Sequence, residues 1–187
     1  MKKLIFGTLG LLSALLFVGI CIRFAQASAP FAYRKPLTTP AIDAAQDAGM
    51  SISVERQTLR SYITEFGYFH CDYIDYISPC NEVQMTVWYN HSTQRKIAEK
   101  YGTQVQSGMP FTFDLVDERG NVYQEYTILQ QCDRGRYTFL RISFAQIVPQ
   151  QVQQLTIRFY EKNTIEEPLT TLLVYHAQMQ RKPVTLK

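Results

Sequence analysis

Val83-Gln84-Met85-Thr86-Val87-Trp88-Tyr89-Asn90 decides the fold class. Val83, Met85, Val87 and Tyr89 fall on one side of an extended chain, and Gln84, Thr86, Trp88 and Asn90 on the other. The same period of two recurs on both sides of this stretch. Ile52 and Val54 show it upstream; Phe111, Phe113 and Leu115, then Leu140, Ile142 and Phe144, then Leu155, Ile157 and Phe159, and finally Leu173, Tyr175 and Ala177 show it downstream. One-faced alternation is the pattern of antiparallel sheets with one wet side. Turn residues punctuate it: Asp117-Glu118-Arg119-Gly120-Asn121 and Asp133-Arg134-Gly135 are hairpin sequences whose glycines accept a positive φ, and Pro149 and Pro168 break the chain. About seven strands at this spacing predict an all-β, immunoglobulin-like antiparallel β-sandwich over residues 50–187. One short helix is expected at Thr93 to Tyr101, ended by Gly102; Ala41 to Ala48 could form a turn or two, too short to be stable alone.

Ahead of that domain, Lys2 and Lys3 precede the uncharged run Leu4 to Ile22, followed by Arg23, Phe24 and the small-residue stretch Ala25-Gln26-Ala27-Ser28-Ala29. This order reads as a secretory signal cut after Ala27 or, uncleaved, as a membrane tether through Leu4 to Ile22. Residues 1–27 are thus a signal peptide or anchor. Residues 28–49, with Pro30, Pro36 and Pro40, read as a flexible linker. Both versions place the domain outside the cytoplasm, periplasmic or secreted, because the two lysines favour the inside.

The whole chain of 187 residues carries 19 basic and 16 acidic residues. Three of the basic ones are Lys2, Lys3 and Arg23, so the remainder is neutral. A nucleic-acid partner is not expected without a basic excess.

Cys71 and Cys80, with Ser78-Pro79 between them, are the expected disulfide, pairing of Cys132 with either being the rival. The order Cys71, Trp88, Cys132 matches an antibody-type core, but Gln130 stands where the corner tyrosine belongs. Phe111-Thr-Phe-Asp-Leu-Val-Asp-Glu-Arg-Gly-Asn-Val-Tyr123, following a strand that ends in Asn90-His91-Ser92, resembles the hairpin of bacterial exported immunoglobulin-like sandwich domains. Ala145 to Pro149 followed by Leu155 to Tyr160 is similar to their penultimate strand pair. The resemblance covers roughly residues 83–160 and implies an accessory or binding module with no catalytic residues.

No nucleotide-binding, nucleophile-elbow or zinc-protease motif occurs. Asp117 to Glu125 lacks a calcium loop's glycine position. His70, Cys71, Asp72 and Asp75 form a loose ligand set without a second histidine, and Glu65, Asp72, Asp75 and Glu82 are unexceptional acids; no metal, cofactor or catalytic residue is expected. The segment Tyr62 to Cys80 is denser in aromatics than one strand face needs. Pinned by Cys71–Cys80, it is expected to form a partner-binding loop presenting Tyr62, Tyr68, Tyr73 and Tyr76. The functional expectation is an exported, non-catalytic binding or accessory protein of the bacterial cell envelope that recognises a protein or glycan. The alternatives are a small extracytoplasmic hydrolase, or an envelope assembly subunit that pairs through an edge strand.

Overall fold

A computed structural model describes residues 2–27, 29–59, 69–102, 109, 111–147, 152–161, 168, 170–176 and 181–186. Among them the chain is mostly β. In chain order come helix α1 (Lys2–Ala27), a 3-10 turn (Phe31–Arg34), helix α2 (Pro40–Asp47), β1 (Ser53–Thr58), β2 (Phe69–Ser78), β3 (Glu82–Asn90), helix α3 (His91–Tyr101), β4 (Phe111–Asp117), β5 (Val122–Tyr123), β6 (Tyr126–Arg134), β7 (Tyr137–Phe144), β8 (Gln154–Glu161), β9 (Thr170–His176) and β10 (Arg181–Pro183). Ten strands therefore stand, among the described residues, where about seven were expected. They form a six-stranded antiparallel sheet ordered β10-β1-β2-β3-β7-β6 and a four-stranded one ordered β5-β4-β8-β9.

The two sheets share one core. Phe69, Val83, Met85, Val87, Leu140, Ile142 and Phe144 of the larger sheet meet Phe111, Phe113, Leu115, Leu155, Ile157 and Phe159 of the smaller. Aromatic rings cross the gap. The Phe69 centroid is 4.3 Å from that of Phe159 and 4.8 Å from that of Phe111, and Tyr89 meets Phe111 edge-on at 4.9 Å. Burying each such ring is worth roughly 1.5–3 kcal/mol, with about 0.5–1.5 kcal/mol more from ring geometry.

The expected turn chemistry is present. Gly120 has φ 83° and Gly135 φ 60°, the left-handed values that their hairpins require. Helix α3 is capped by the Asn90 side chain, which accepts from Ser92 N–H, and ends at Gly102 with φ 64°. Asn90, part of a formal glycosylation sequon, is occupied by this cap.

The larger sheet is covered on its other face too. Residues 29–48, read above as a flexible linker, run across it. Ala29 and Tyr33 pack on Trp88 and Phe139, and Ile42 of α2 packs on Val54 and Ile77. Backbone groups of this segment satisfy polar side chains beneath. Leu37 donates to Gln84 Oε1 at 2.9 Å and accepts from Gln84 Nε2 at 2.7 Å. The Tyr33 carbonyl accepts from Tyr73 at 2.5 Å and also from Thr86. This second cover explains β2. β3 and β7 are buried on both faces too, but keep polar residues on the outer one; β2 puts large apolar side chains on both, so it shows no alternation, and the stretch expected to be an aromatic loop is a ten-residue central strand. A bulge between Cys71 and Ile74 sets two residues of β2 against Thr86 and turns Tyr73 to the outer face.

The cysteine expectations change for the same reason. All four cysteines are free. Cys71 and Cys80 cannot be joined, because β2 carries the chain away from Cys71 at about 3.3 Å per residue while a disulfide tolerates a Cα separation of at most about 7 Å. Cys71 faces the inter-sheet core, whereas Cys132 lies with Trp88 and Phe139 on the outer face. The Cys–Trp–Cys core of an antibody domain is thus not formed.

Helix α1 extends for 26 residues, and its described side chains are exposed, among them Leu11, Leu16 and Phe24. Among the described residues no helix is long and apolar enough to cross a membrane.

Candidate partner-binding edge and groove

Strand β6 closes the larger sheet on one side. It pairs with β7 from Tyr126 opposite Phe144 to Arg134 opposite Tyr137. Among the described residues no strand lies on its other side. Six of its nine residues are exposed, against one partly exposed residue in the eight of β7. Such an edge offers a row of unpaired N–H and C=O groups to another chain. Its composition, Thr127-Ile128-Leu129-Gln130-Gln131-Cys132, combines β-formers with uncharged polar residues. The charges are held to its ends, Glu125 on one side and Asp133 and Arg134 on the other.

Beside the first half of β6 the outer face opens into a groove of about 500 Å³, lined by Thr39, Glu82, Glu125, Thr127, Leu129 and Ser143 among others. Its floor is the Glu82 carboxylate, only 3% exposed. Three neutral donors hold it: Thr39 Oγ1 at 2.6 Å, Ser143 Oγ at 2.7 Å and Gln84 Nε2 at 2.8 Å. The packed segment 29–48 forms one wall of the groove through Thr39, Pro40 and Ala41. Cys80 sits close by, its thiol pushed up first by burial and then by the charge of Glu82.

Of the residues singled out from sequence, Tyr62 and Tyr68 lie outside the described residues. Tyr73 and Tyr76 are 6% and 2% exposed, on opposite faces of β2. Tyr76 joins the inter-sheet core. Tyr73 lies under Arg56, whose guanidinium is 3.9 Å from the ring centroid, and burial raises its hydroxyl pKa against the pull of Arg141 and Arg56. Both are core residues rather than members of a surface loop, and the structure does not bring them together as a binding face.

The loose ligand set is split by strand alternation. Cys71 faces inward; Asp75 faces outward onto two arginines; the His70 ring stacks on Trp88 at 5.2 Å, its pKa lowered by burial. The Asp72 side chain and all of Glu65 lie outside what is described. Among the described residues, no three His, Cys, Asp or Glu side chains are placed to hold a metal ion. One histidine does meet a hydroxyl and a carboxylate. His91 Nε2 is 3.0 Å from Thr138 Oγ1, and Thr138 donates to Asp133 Oδ1 at 2.6 Å. Because the hydroxyl proton goes to the carboxylate and Thr138 is 4% exposed, this set fastens α3 to the β6–β7 hairpin and does not present a nucleophile.

The edge and the groove are the features that sequence reading missed. Only the turn at Asp133-Arg134-Gly135 was legible there. The signal that was present is the break in alternation at Ile128-Leu129, where the strand carries one extra residue. Comparison with protein-family models, with curated proteins and with solved structures gives no match to this chain.

Proposed function

We propose that the chain is an exported, non-catalytic accessory protein of the bacterial cell envelope, built on an immunoglobulin-like β-sandwich, and that it acts by pairing its open edge strand β6 with a partner protein. The observation that carries this reading is the nine-residue edge of β6, uncovered among the described residues and lying beside a groove that can take side chains from an added strand. Main-chain hydrogen bonds along an edge supply affinity, and alternate side chains entering the adjoining groove supply selectivity. The leader composition supports export, and the neutral charge of the remainder supports a protein partner over a nucleic acid.

The test is a photo-crosslinking residue placed at Gln131 on β6 of the full chain, with a control at exposed Ser51, each expressed in a bacterial host and irradiated in the intact envelope. A discrete protein adduct from position 131 and none from position 51 is expected. Equal labelling from both positions, or none from 131, overturns the assignment of β6 as the working surface.

A further inference from the structure

Strand β6 is not regular. Thr127 lies opposite Ser143 and Ile128 opposite Ile142, but the next β7 residue, Arg141, faces Gln130, so Leu129 is an extra residue. An extra residue resets the alternation of faces. Before it, Tyr126 points to the inter-sheet core and Thr127 to the outer face with Ser143. After it, Gln130, Cys132 and Arg134 share the outer face with Arg141, Phe139 and Tyr137.

An antiparallel strand added to this edge must set outer residues against outer and inner against inner. For a second copy of β6, one register does so along the full strand. It sets Tyr126 opposite the partner's Asp133, Thr127 opposite the partner's Cys132, Ile128 opposite the partner's Gln131, and Leu129 opposite the partner's Gln130. The two bulges meet at the two-fold axis and offset one another, so the register needs no shift. It also carries Glu125, exposed on the groove rim, to the partner's Arg134, exposed on the same outer face. The two-fold axis repeats that ion pair.

We propose that the chain pairs with a second copy of itself through β6 in this register, as an antiparallel two-fold dimer in which the two larger sheets become continuous and each groove receives the other copy's Arg134. The inference rests on the reading of β6 as the partner-binding edge and names its occupant. Charge complementarity on the outer face, Glu125 just before the strand and Arg134 at its end, selects a second copy.

The test uses Thr127→Cys in the full chain under mild oxidation. Residue 127 then faces the partner's Cys132 at the Cα separation of about 4.5–5.5 Å of an antiparallel pair, within the reach of a disulfide. Within one copy the two positions are about 16 Å apart along the strand and cannot bridge. A disulfide-linked dimer is expected on a non-reducing gel, with position 127 joined to position 132 in peptide maps. Ile128→Cys, on the other face, gives no such link. Adding Glu125→Arg lowers the dimer yield roughly tenfold, because two attractions become repulsions, and adding Arg134→Glu to that variant restores it. The proposal is overturned by absence of the dimer in a chain that melts like the parent, by equal linking through Ile128→Cys, or by failure of the second charge reversal to restore the yield. An adduct from Gln131 to a different protein, with no self-link, would reject self-pairing while leaving β6 as the partner edge.

Discussion

Arg141 Nη2 lies 2.5 Å from Asp75 Oδ2, and neither side chain is exposed to solvent. Arg56 closes on the same carboxylate from the other side, through Nε to Oδ1 at 2.6 Å and Nη2 to Oδ2 at 2.8 Å. The group links the three strands β1, β2 and β7 beneath the docked segment 29–48. Removing the shared carboxylate would leave Arg141 charged and buried. Asp75→Ala is expected to cost about 3–5 kcal/mol in denaturant unfolding. A loss below about 1 kcal/mol would show that water reaches Arg141 and that the cover is not closed.

Tyr73 separates core from surface roles. Tyr73→Ala is expected to cost about 3–5 kcal/mol, the range for a large buried aromatic. Tyr73→Phe keeps the ring and loses the hydroxyl's bond to the Tyr33 carbonyl and its 3.5 Å contact with Thr86 Oγ1, about 1 kcal/mol. Thermal melts of the two variants check this; an unchanged melting point for Tyr73→Ala would return the ring to the surface.

The docked segment can be tested through Gln84, whose amide makes both hydrogen bonds to Leu37. Gln84→Ala leaves the Leu37 backbone groups without those bonds and removes a donor from Glu82. Hydrogen exchange is expected to speed up at residues 33–39 and along β3 while the amides of β4 and β8 keep their protection. Uniform acceleration over both sheets would mean that the segment is not a separable layer.

Asp117 makes the β4–β5 hairpin acid-sensitive. Burial works to raise its carboxyl, but hydrogen bonds from the Asn121 side chain, the backbone of Asn121 and Arg119, and the Tyr123 hydroxyl outweigh it, so it titrates below its ordinary range. The unfolded carboxyl takes up its proton first as pH falls. The stabilisation is therefore complete above the unfolded value of about 4 and drains away as pH drops through the lower folded value. The stability difference between the parent and Asp117→Asn should be larger near pH 6 than near pH 2. A difference that does not vary with pH would remove the carboxylate from the hairpin's stability.

Export has its own check. Cell fractionation should find the chain outside the cytoplasm, and sequencing of a cleaved form should begin at Ser28. An intact Met1 in the membrane fraction would instead identify the leader as an anchor, and a soluble cytoplasmic chain would refute both.

Strands were legible where polar and apolar residues take opposite faces, whether the polar face is partly open, as in β4 and β8, or buried under the cover, as in β3 and β7; the glycines at 120 and 135 follow the expectation closely. Strand β2 was not, because Phe69 to Ser78 puts large apolar side chains on both faces and is interrupted by a bulge, which leaves only an aromatic density that reads equally as a binding loop. The cover itself was hidden for a related reason. Ala29, Tyr33, Ile42 and Ala45 are too few and too irregularly spaced to form a pattern, and the polar partners of the segment, Gln84, Thr86 and Glu82, lie in a distant strand where they read as its wet face. Tertiary pairing of backbone with side chain leaves no local period in sequence. The open edge at β6 depends on strand order, which alternation does not encode.

The docking of Ala29 also sets a mechanical condition. Helix α1 ends at Ala27, and Ala29 is already buried against Trp88 and Phe139. Two residues of chain reach at most about 7 Å. A protein tethered through α1 would therefore have no linker beyond these two residues to separate its domain from the tether. A peptidase that cut after Ala27 would need to reach the bond before the segment folds down, and its action would then compete with the docking of Ala29.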